Sequence, residues 1–200
     1  MTHRILLARH GTHDEVGHVL SGRSEIALNP RGHAQAEALA WQLAGGAVRS
    51  IHASPRRRCT ETAAPIARTL GLPLTSAPAL DEIDFGAFAG RRFDALATEA
   101  AWRHWNEARD VARCPGGETM AEAAERARTY LLALDRTLGP TLCVTHCDVI
   151  RALACDALGL DCDHLLALPC DPGSLTLIDI DGDTLRLVSL NLRPGQPADQ

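Results

Sequence analysis

The sequence predicts an α/β sandwich built on a mostly parallel sheet. Two observations support this fold class. Short apolar runs that are typical of buried strands alternate along the chain with longer segments of helical periodicity. The length of 200 residues and the apolar fraction of 46% suit one large hydrophobic core, and no shift in composition marks a second domain.

The first half of the chain contains two predicted strand–helix pairs. An apolar run over 4–9 ends abruptly in charge and glycine, as a buried strand entering a loop does. After a polar loop, Asn29 and Pro30 provide the N-cap and the first residue of a helix that ends at Gly45–Gly46. A second short strand over 50–54 leads into another helix.

The segment SPRRRC at 54–59 predicts the start of that second helix. Ser54 is a favoured N-cap residue, Pro55 is favoured at the first helical position, and the helix extends to about Leu70. Three arginines at 56–58 then fill the first turn, where the partial positive charge of a helix N-terminus disfavours cations. We therefore expect an anion to bind at this turn.

The second half continues the alternation of helices and strands. An irregular loop covers 80–90, and a hairpin closes around Asp181–Gly182. The other elements predicted in this half are helices over 91–110, 118–138 and 149–159, a strand over 141–145, hairpin strands over 174–180 and 184–190, and a disordered tail over 194–200.

Composition and charge argue against several classes of function. A net charge of -5 does not suit a general nucleic-acid-binding protein. No apolar run reaches the length of a membrane span, and the N-terminus lacks a signal peptide. Seven cysteines in a chain of this length do not form a disulfide framework, so we expect reduced thiols in a cytoplasmic protein. The sequence does not indicate an oligomeric state.

The predicted topology places charged residues from distant segments at one edge of the sheet. In open α/β sheets, ligands bind beyond the carboxyl ends of the strands, and there the chain carries Arg9 with His10, Arg58 and His146. Arginine side chains match the oxygens of a phosphoryl group, and a histidine can attack its phosphorus. A carboxylic acid of raised pKa could protonate the leaving alkoxide, and Glu82, in a non-helical loop with the apolar neighbours Ile83 and Phe85, is the candidate.

Five motifs, in chain order, carry a family resemblance. They are LLARHG (6–11), SPRRRCTETA (54–63), LDEIDFGAFAG (80–90), PGGET (115–119) and VTHCDVIRAL (144–153). Together they resemble the signature segments of the histidine phosphatase superfamily, in its phosphoglycerate mutase-like group. The resemblance implies a three-layer α/β/α sandwich, a single histidine phosphatase domain over 1–193, and a small helical cap around 86–115.

The resemblance also implies a role for each central residue. His10 is the expected nucleophile, which carries the phosphoryl group as phosphohistidine. Arg9 and Arg58 are expected to bind that group, and His146 to contribute positive charge or a hydrogen bond to it. Glu82 is the expected proton donor, and later the base that activates water. Neither a metal nor another cofactor is required, and the expected partner is a small phosphorylated metabolite.

Several positions around the expected pocket depart from the family pattern. His13 lies where many members have Thr or Ser, and Ser21 and Gly22 replace a Gln-Gly pair. Cys147 and Asp148 follow the second histidine, where many members have Gly-Gly or Gly-Asn. We expect these five residues to contact the part of the substrate that differs from that of the mutases.

Two of these departures also have a simpler interpretation. Asp148 is well placed to be the N-cap of the helix from Val149. Cys143, His146 and Cys147 form the tightest metal-like cluster, but a zinc site there would lack a fourth ligand nearby. We therefore prefer Asp148 as an N-cap and expect no metal at the cluster.

The length of the cap region distinguishes between two activities. Phosphoglycerate mutases of this group have a longer insertion after the catalytic glutamate, whereas here only residues 85–115 fill that space. A smaller cap admits water to the phosphorylated intermediate, which favours hydrolysis. The sequence thus predicts a phosphatase. A phosphoglycerate-type mutase and a non-catalytic phosphate-binding protein are the alternatives, although a binding protein would not need the acid Glu82.

Overall fold

The computed structural model describes residues 2–195, so the predicted tail lies outside the described residues from 196 onward. The helices and strands are β1 (His3–Arg9), α1 (Pro30–Leu43), β2 (Ser50–Ala53), α2 (Arg57–Leu70), β3 (Leu74–Ser76), α3 (Phe93–Leu96), α4 (Ala100–Glu107), α5 (Met120–Leu132), β4 (Thr141–Thr145), α6 (Cys147–Leu158), β5 (Leu175–Asp181) and β6 (Thr184–Leu192), with short 3₁₀ helices at Pro78–Leu80, Gly86–Phe88 and Cys162–Ala167.

The strands form one mixed sheet in the order β3-β2-β4-β1-β5-β6. The first four strands in this order are parallel, and β5 and β6 continue the sheet as an antiparallel hairpin. The predicted mostly parallel sheet is therefore confirmed. Because β1, β2 and β4 are parallel neighbours, their carboxyl ends meet at the same edge.

Helices cover both faces of this sheet, which confirms the three-layer sandwich. Ile5 and Leu7 of β1 pack on one face with residues of α5 and α6. Ala8, on the opposite face of the same strand, packs with residues of α1 and α2. The predicted apolar side of α2 is also observed, since Cys59 and Ile66 are buried in this second layer.

A third apolar cluster underlies the cap region. The prediction of one helix over 91–110 is wrong, because α3 and α4 are separate short helices. The Trp102 ring on α4 lies 5.3 Å from that of Phe88 and 5.2 Å from that of Trp105 on the same helix, measured between ring centroids. These ring contacts pack the cap region against the cluster beneath it.

The start of α2 also differs from the prediction. The helix begins at Arg57 with Arg56 at the N-cap, so Ser54 and Pro55 lie before it. Ser54 lies directly after β2, and its backbone nitrogen still donates to Val144 O over 3.0 Å, so the chain is extended there. Its hydroxyl donates to the carboxylate of Asp81 over 3.1 Å and accepts from the backbone nitrogen of Arg56 over 3.3 Å.

Two further helices have different ends from those predicted. Helix α6 begins at Cys147 with His146 as its N-cap, so Asp148 lies inside the first turn and the N-cap interpretation of Asp148 is wrong. Helix α5 is shorter than 118–138, because Thr119 forms a capping box with Glu122 at its start and the helix ends at Leu132.

Strand β3 was not predicted from the sequence, because it lies in a short segment between Pro73 and Pro78. None of the helices in residues 2–195 has the length and apolarity needed to cross a membrane.

Candidate active site

A cavity of about 220 Å³ lies at the edge where the carboxyl ends of β1, β2 and β4 meet. It brings together nearly all of the site residues expected from the sequence. Those that line it are Arg9, His10, His13, Ser21, Gly22, Arg58, Glu82, Cys147 and Asp148. The exception is His146, which does not line the cavity but bonds to Arg58, which does.

His10 is held in one defined tautomer. Its Nδ1 lies 2.8 Å from the carbonyl oxygen of Gly11, and a carbonyl only accepts, so Nδ1 carries the proton and Nε2 is left with its lone pair. Burial, together with the positive charges of Arg58 and Arg9, holds the pKa of His10 well below its ordinary value. His10 is therefore neutral near pH 7, as a nucleophile must be.

Gly11 is required here by the close approach of two backbones. A Cβ atom at this position would lie 2.5 Å from the carbonyl oxygen of Gly32, at the start of α1. The backbone nitrogen of Gly11 donates to Thr62 Oγ1 over 2.9 Å. The glycine of the Arg-His-Gly motif thus lets α1 and α2 pack directly beneath the histidine.

Arg58 and Arg9 present unpaired donors next to the cavity. Arg58 is 1% exposed, and its guanidinium donates to the backbone oxygens of Gly22 and Ser24. Arg9 donates in the same way to the oxygen of Cys170. In both arginines the Nε group is buried without a hydrogen-bond partner. Burying such a donor without an acceptor costs free energy, and an anion whose oxygens accept from it would remove that cost.

His146 connects Arg58 to β2. Arg58 donates from Nη2 to Nδ1 of His146 over 2.9 Å, so the imidazole proton lies on Nε2. Nε2 in turn donates to the hydroxyl of Ser54 over 2.8 Å. Ser54 then donates to Asp81, and Arg56 lies with its Nε 3.0 Å from the second oxygen of the same carboxylate. The hydrogen bonds of this chain fix the orientation of the Arg58 guanidinium.

The three arginines of SPRRRC therefore have different environments. Arg58 is buried beside the cavity, and Arg56 is part of the ion pair with Asp81. Arg57 has a side chain that is 60% exposed and pairs with Glu61 on its own helix. Only Arg58 is placed to bind the anion that the sequence predicts at this turn.

Glu82 has the properties of a buried acid. It is 7% exposed, and burial together with the negative charge of Asp148 raises its pKa to about 8. Its carbonyl oxygen accepts hydrogen bonds from Arg23 over 2.8 Å and from Arg126 over 2.9 Å. The carboxyl group is therefore mostly protonated at neutral pH, in a backbone segment that two arginines hold in place.

The PGGET segment supports the loop that carries Glu82. The Glu118 backbone nitrogen donates to the oxygen of Asp84 over 2.8 Å, and the Glu118 carboxylate accepts from the Asp84 nitrogen over 3.0 Å. A Cβ atom on Gly117 would lie 2.1 Å from the oxygen of Asp84, so only glycine allows the two loops to approach this closely. This contact explains the presence of the motif in the sequence.

The residues that depart from the family pattern surround the reacting groups. The rings of His13 and His10 lie 5.3 Å apart, and burial lowers the pKa of His13 to about 4. A hydrogen bond with Cys170 and burial raise the pKa of the Cys147 thiol. Asp148 lies 3.8 Å from Arg151. Across residues 2–195 there is no group of three or more His, Cys, Asp or Glu side chains positioned to hold a metal ion.

Part of the cavity wall was not expected from the sequence. Arg109 and Trp105 line the cavity, and the guanidinium carbon of Arg109 lies 4.3 Å from the centroid of the Trp105 ring. Arg109 lies in the turn that follows α4, so helical spacing does not indicate this contact. Arg91 and Arg92, two adjacent arginines of the cap region, pair with Glu99 and Asp94.

Comparison with known proteins decides the family. The model of the histidine phosphatase superfamily (branch 1) matches residues 5–193. The chain belongs to the histidine phosphatase superfamily. The resemblance read from the five motifs is thereby confirmed.

Members of this superfamily resemble the chain along most of its length. It is 30% identical over 193 residues to "Putative phosphoserine phosphatase 2" of Hydrogenobacter thermophilus, which covers 94% of this chain and 95% of the relative. It is 31% identical over 163 residues to "Probable phosphoglycerate mutase GpmB" of Erwinia tasmaniensis, covering 78% and 75%. Its fold matches the native structure of a mycobacterial glucosyl-3-phosphoglycerate phosphatase with a TM-score of 0.82 at 27% identity, covering 96% of this chain and 100% of the other.

Proposed function

We propose that this member of the histidine phosphatase superfamily is a phosphatase that hydrolyses the phosphate monoester of a small metabolite through a phosphohistidine on His10, with Glu82 as proton donor. The observation that carries the proposal is the pairing of opposite protonation states in one cavity. His10 is a neutral base with Nε2 unprotonated, and Glu82 is a buried acid with a pKa of about 8. This separation supports His10 as the nucleophile and Glu82 as the acid.

In the first step, Nε2 of His10 attacks phosphorus. An N–P bond forms while the P–O bond to the alcohol breaks, and the leaving oxygen takes the proton of Glu82. Arg9 and Arg58 donate to the phosphoryl oxygens as charge redistributes in the transition state. The hydrogen bond between Arg58 and His146 keeps the guanidinium oriented during this step.

In the second step, the Glu82 carboxylate takes a proton from water. The water oxygen bonds to phosphorus, the N–P bond breaks, and inorganic phosphate leaves. Glu82 is again protonated and His10 is again neutral. Each step uses side chains of the chain alone, so we propose that activity persists in the presence of a metal chelator.

A mutase is the second candidate, and the similarity to a relative named as a phosphoglycerate mutase favours it. Against it, the segment that covers the cavity contains only α3 and α4 in addition to loops and a 3₁₀ turn. A small cover of this kind gives water access to a phosphorylated intermediate. Release of inorganic phosphate, compared with transfer of the phosphoryl group within one sugar acid, separates the two activities.

We also propose that residues 1–193 act as one domain and that the protein works in the cytoplasm. The family model extends from residue 5 to 193, which supports a single domain. All seven cysteines are unpaired thiols, which supports a reducing compartment.

The decisive experiment is a screen of phosphate esters with purified protein, with 4-nitrophenyl phosphate included as a generic substrate. The His10→Ala variant should lose hydrolysis, and trapped labelled enzyme should carry an acid-labile phosphoryl group only when His10 is present. His33→Ala is the matched control, because His33 is an exposed residue of α1. Phosphate binding without turnover of any ester would instead support the non-catalytic alternative, and full activity of His10→Ala would refute the mechanism.

A further inference from the structure

The cavity contains a second group of side chains that the phosphoryl chemistry does not use. Arg109, which follows α4, is 5% exposed and lines the cavity beside Trp105. Its guanidinium lies over the Trp105 ring, which fixes the plane of the cation. A buried and oriented guanidinium in a cavity wall is a ready-made recognition element.

The hydrogen-bond partners of Arg109 are incomplete. Its one side-chain hydrogen bond is to the neutral oxygen Oδ1 of Asn106. Its Nε group is buried and has no partner, and neither does the indole nitrogen of Trp105. Two buried N–H donors without acceptors are uncommon unless a ligand supplies the acceptors. Both unsatisfied groups are donors, so the missing ligand is rich in acceptor oxygens.

The charges around Arg109 define the ligand further. Asp148 contributes the strongest negative charge near Arg109, but this carboxylate also lies 3.8 Å from Arg151. Asp163 adds a weaker negative charge, but among the described residues no carboxylate forms an ion pair with Arg109. A single guanidinium without an ion-pair partner suits a singly charged group with two coplanar oxygens, and a carboxylate is such a group.

The size of the cavity restricts the ligand as well. Its volume of about 220 Å³ is below the usual range for sites that hold drug-sized molecules. The reacting phosphoryl group already occupies part of this space. The remaining part therefore suits a short carbon chain with a small polar group.

We propose that Arg109 binds a carboxylate on the alcohol part of the substrate, and hence that the substrate is a small phosphate ester that also carries a carboxylate. This assignment rests on the proposed phosphatase function. The guanidinium fork matches both oxygens of a carboxylate, and it anchors the end of the substrate away from phosphorus. Such an anchor holds the ester bond in line with His10, so its effect appears in kcat/KM.

Matched substrate pairs test the proposal. O-phosphoethanolamine has a hydrogen where O-phosphoserine has its carboxylate. Glycerol 3-phosphate has a hydroxymethyl group where 3-phosphoglycerate has its carboxylate. The unmodified enzyme should prefer the carboxylate member of at least one pair by about 10- to 100-fold in kcat/KM, as expected for a hydrogen-bonded charged group. The Arg109→Gln variant should reduce that preference to less than threefold.

Arg103→Gln is the matched control for this substitution. Arg103 lies on α4 but is exposed and donates only to the backbone oxygens of Ala97 and Thr98. It should keep the full preference. Turnover of 4-nitrophenyl phosphate by Arg109→Gln shows that the variant is folded, and Arg109→Lys, which keeps the charge but loses the fork, should retain an intermediate preference.

The outcomes separate this proposal from the proposed function. If 4-nitrophenyl phosphate is hydrolysed but the enzyme prefers neither carboxylate, or if Arg109→Gln keeps the preference, the carboxylate assignment is wrong. A three-carbon bisphosphate that depends on Arg109 more strongly than O-phosphoserine would also overturn it. If no ester is hydrolysed, the phosphatase function is wrong. Equilibrium binding of each pair to His10→Ala protein then decides the subsite, with equal affinities overturning it.

Discussion

Arg58 donates a hydrogen bond from Nη2 to Nδ1 of His146 over 2.9 Å, and this contact fixes the tautomer of one side chain and the orientation of the other. Because a guanidinium only donates, the imidazole proton must lie on Nε2, where it is donated to Ser54. His146 is therefore engaged at both nitrogens. Its proposed contribution to phosphoryl binding passes through Arg58, as a positioning residue.

The first prediction concerns the arginines at the start of α2. Arg58→Ala should lower kcat/KM for 4-nitrophenyl phosphate by about 10²- to 10³-fold, because it removes donors aimed at the charge that develops in the transition state. Arg57→Ala should stay within about twofold of the unmodified enzyme, since Arg57 pairs with Glu61 at the surface. Equal losses in the two variants would contradict the assignment.

The second prediction concerns the support of His146. Ser54 is fully buried and bonds to both His146 and Asp81, so Ser54→Ala should lower kcat by about tenfold and destabilise the fold by about 1–3 kcal/mol. Ser50→Ala is the control, because Ser50 lies on β2, the strand directly before Ser54, and bonds to Thr141 instead. Steady-state kinetics and denaturant unfolding of both variants check this. A loss of stability without a loss of kcat in Ser54→Ala would show that Ser54 has only a structural role.

The third prediction is a pH dependence set by Glu82. The acid must be protonated to serve the leaving group, and its pKa is about 8, so kcat/KM for an alkyl phosphate should fall as the pH rises above about 8. The neutral state of His10 should persist down through pH 6.5, because its pKa is well below the ordinary value. Glu82→Gln should abolish the alkaline limb.

The leaving group provides the control for this prediction. Glu82→Gln should lower kcat/KM for an alkyl phosphate by about 10²- to 10⁴-fold, but it should lower that for 4-nitrophenyl phosphate much less, because nitrophenolate leaves without a proton. A pH–rate profile and a two-substrate comparison measure both effects. An equal loss on both substrates would argue against Glu82 as the proton donor.

The fourth prediction is that the same substitution stabilises the fold. The pKa of Glu82 is raised from 4.5 to about 8 on folding, so the carboxyl ionises at a lower pH in the unfolded protein than in the folded one. The unmodified protein therefore loses stability as the pH rises from about 4.5 to 8. Glu82→Gln does not titrate and should be more stable at pH 7 by about 3 kcal/mol. Urea unfolding at pH 5 and at pH 8 checks this, since the advantage should shrink at the lower pH. A variant that is less stable at pH 8 would contradict the raised pKa.

Some features of this protein could be predicted from local sequence because their causes are local. Asn29 and Pro30 specify the start of α1, and the observed helix begins at that proline with its N-cap bond in place. Apolar runs such as 4–9 gave the strands, and the carboxyl-end rule then located Arg9, His10 and Arg58 at one edge of the sheet. In the region 91–110, where the prediction of one helix failed, Trp102 packs against the rings of Phe88 and Phe93, and helical periodicity does not indicate these contacts.

The sequence by itself determined the alternation of strands and helices, the family, and the residues at the centre of the cavity. The tertiary structure decided how those residues work. Nothing near Ser54 in sequence indicates that its hydroxyl bonds to His146 and Asp81, or that α2 begins only at Arg57. The raised pKa of Glu82 and the unpartnered donors of Arg109 likewise follow from burial. Burial depends on contacts between residues far apart in the chain, and only the folded chain creates those contacts.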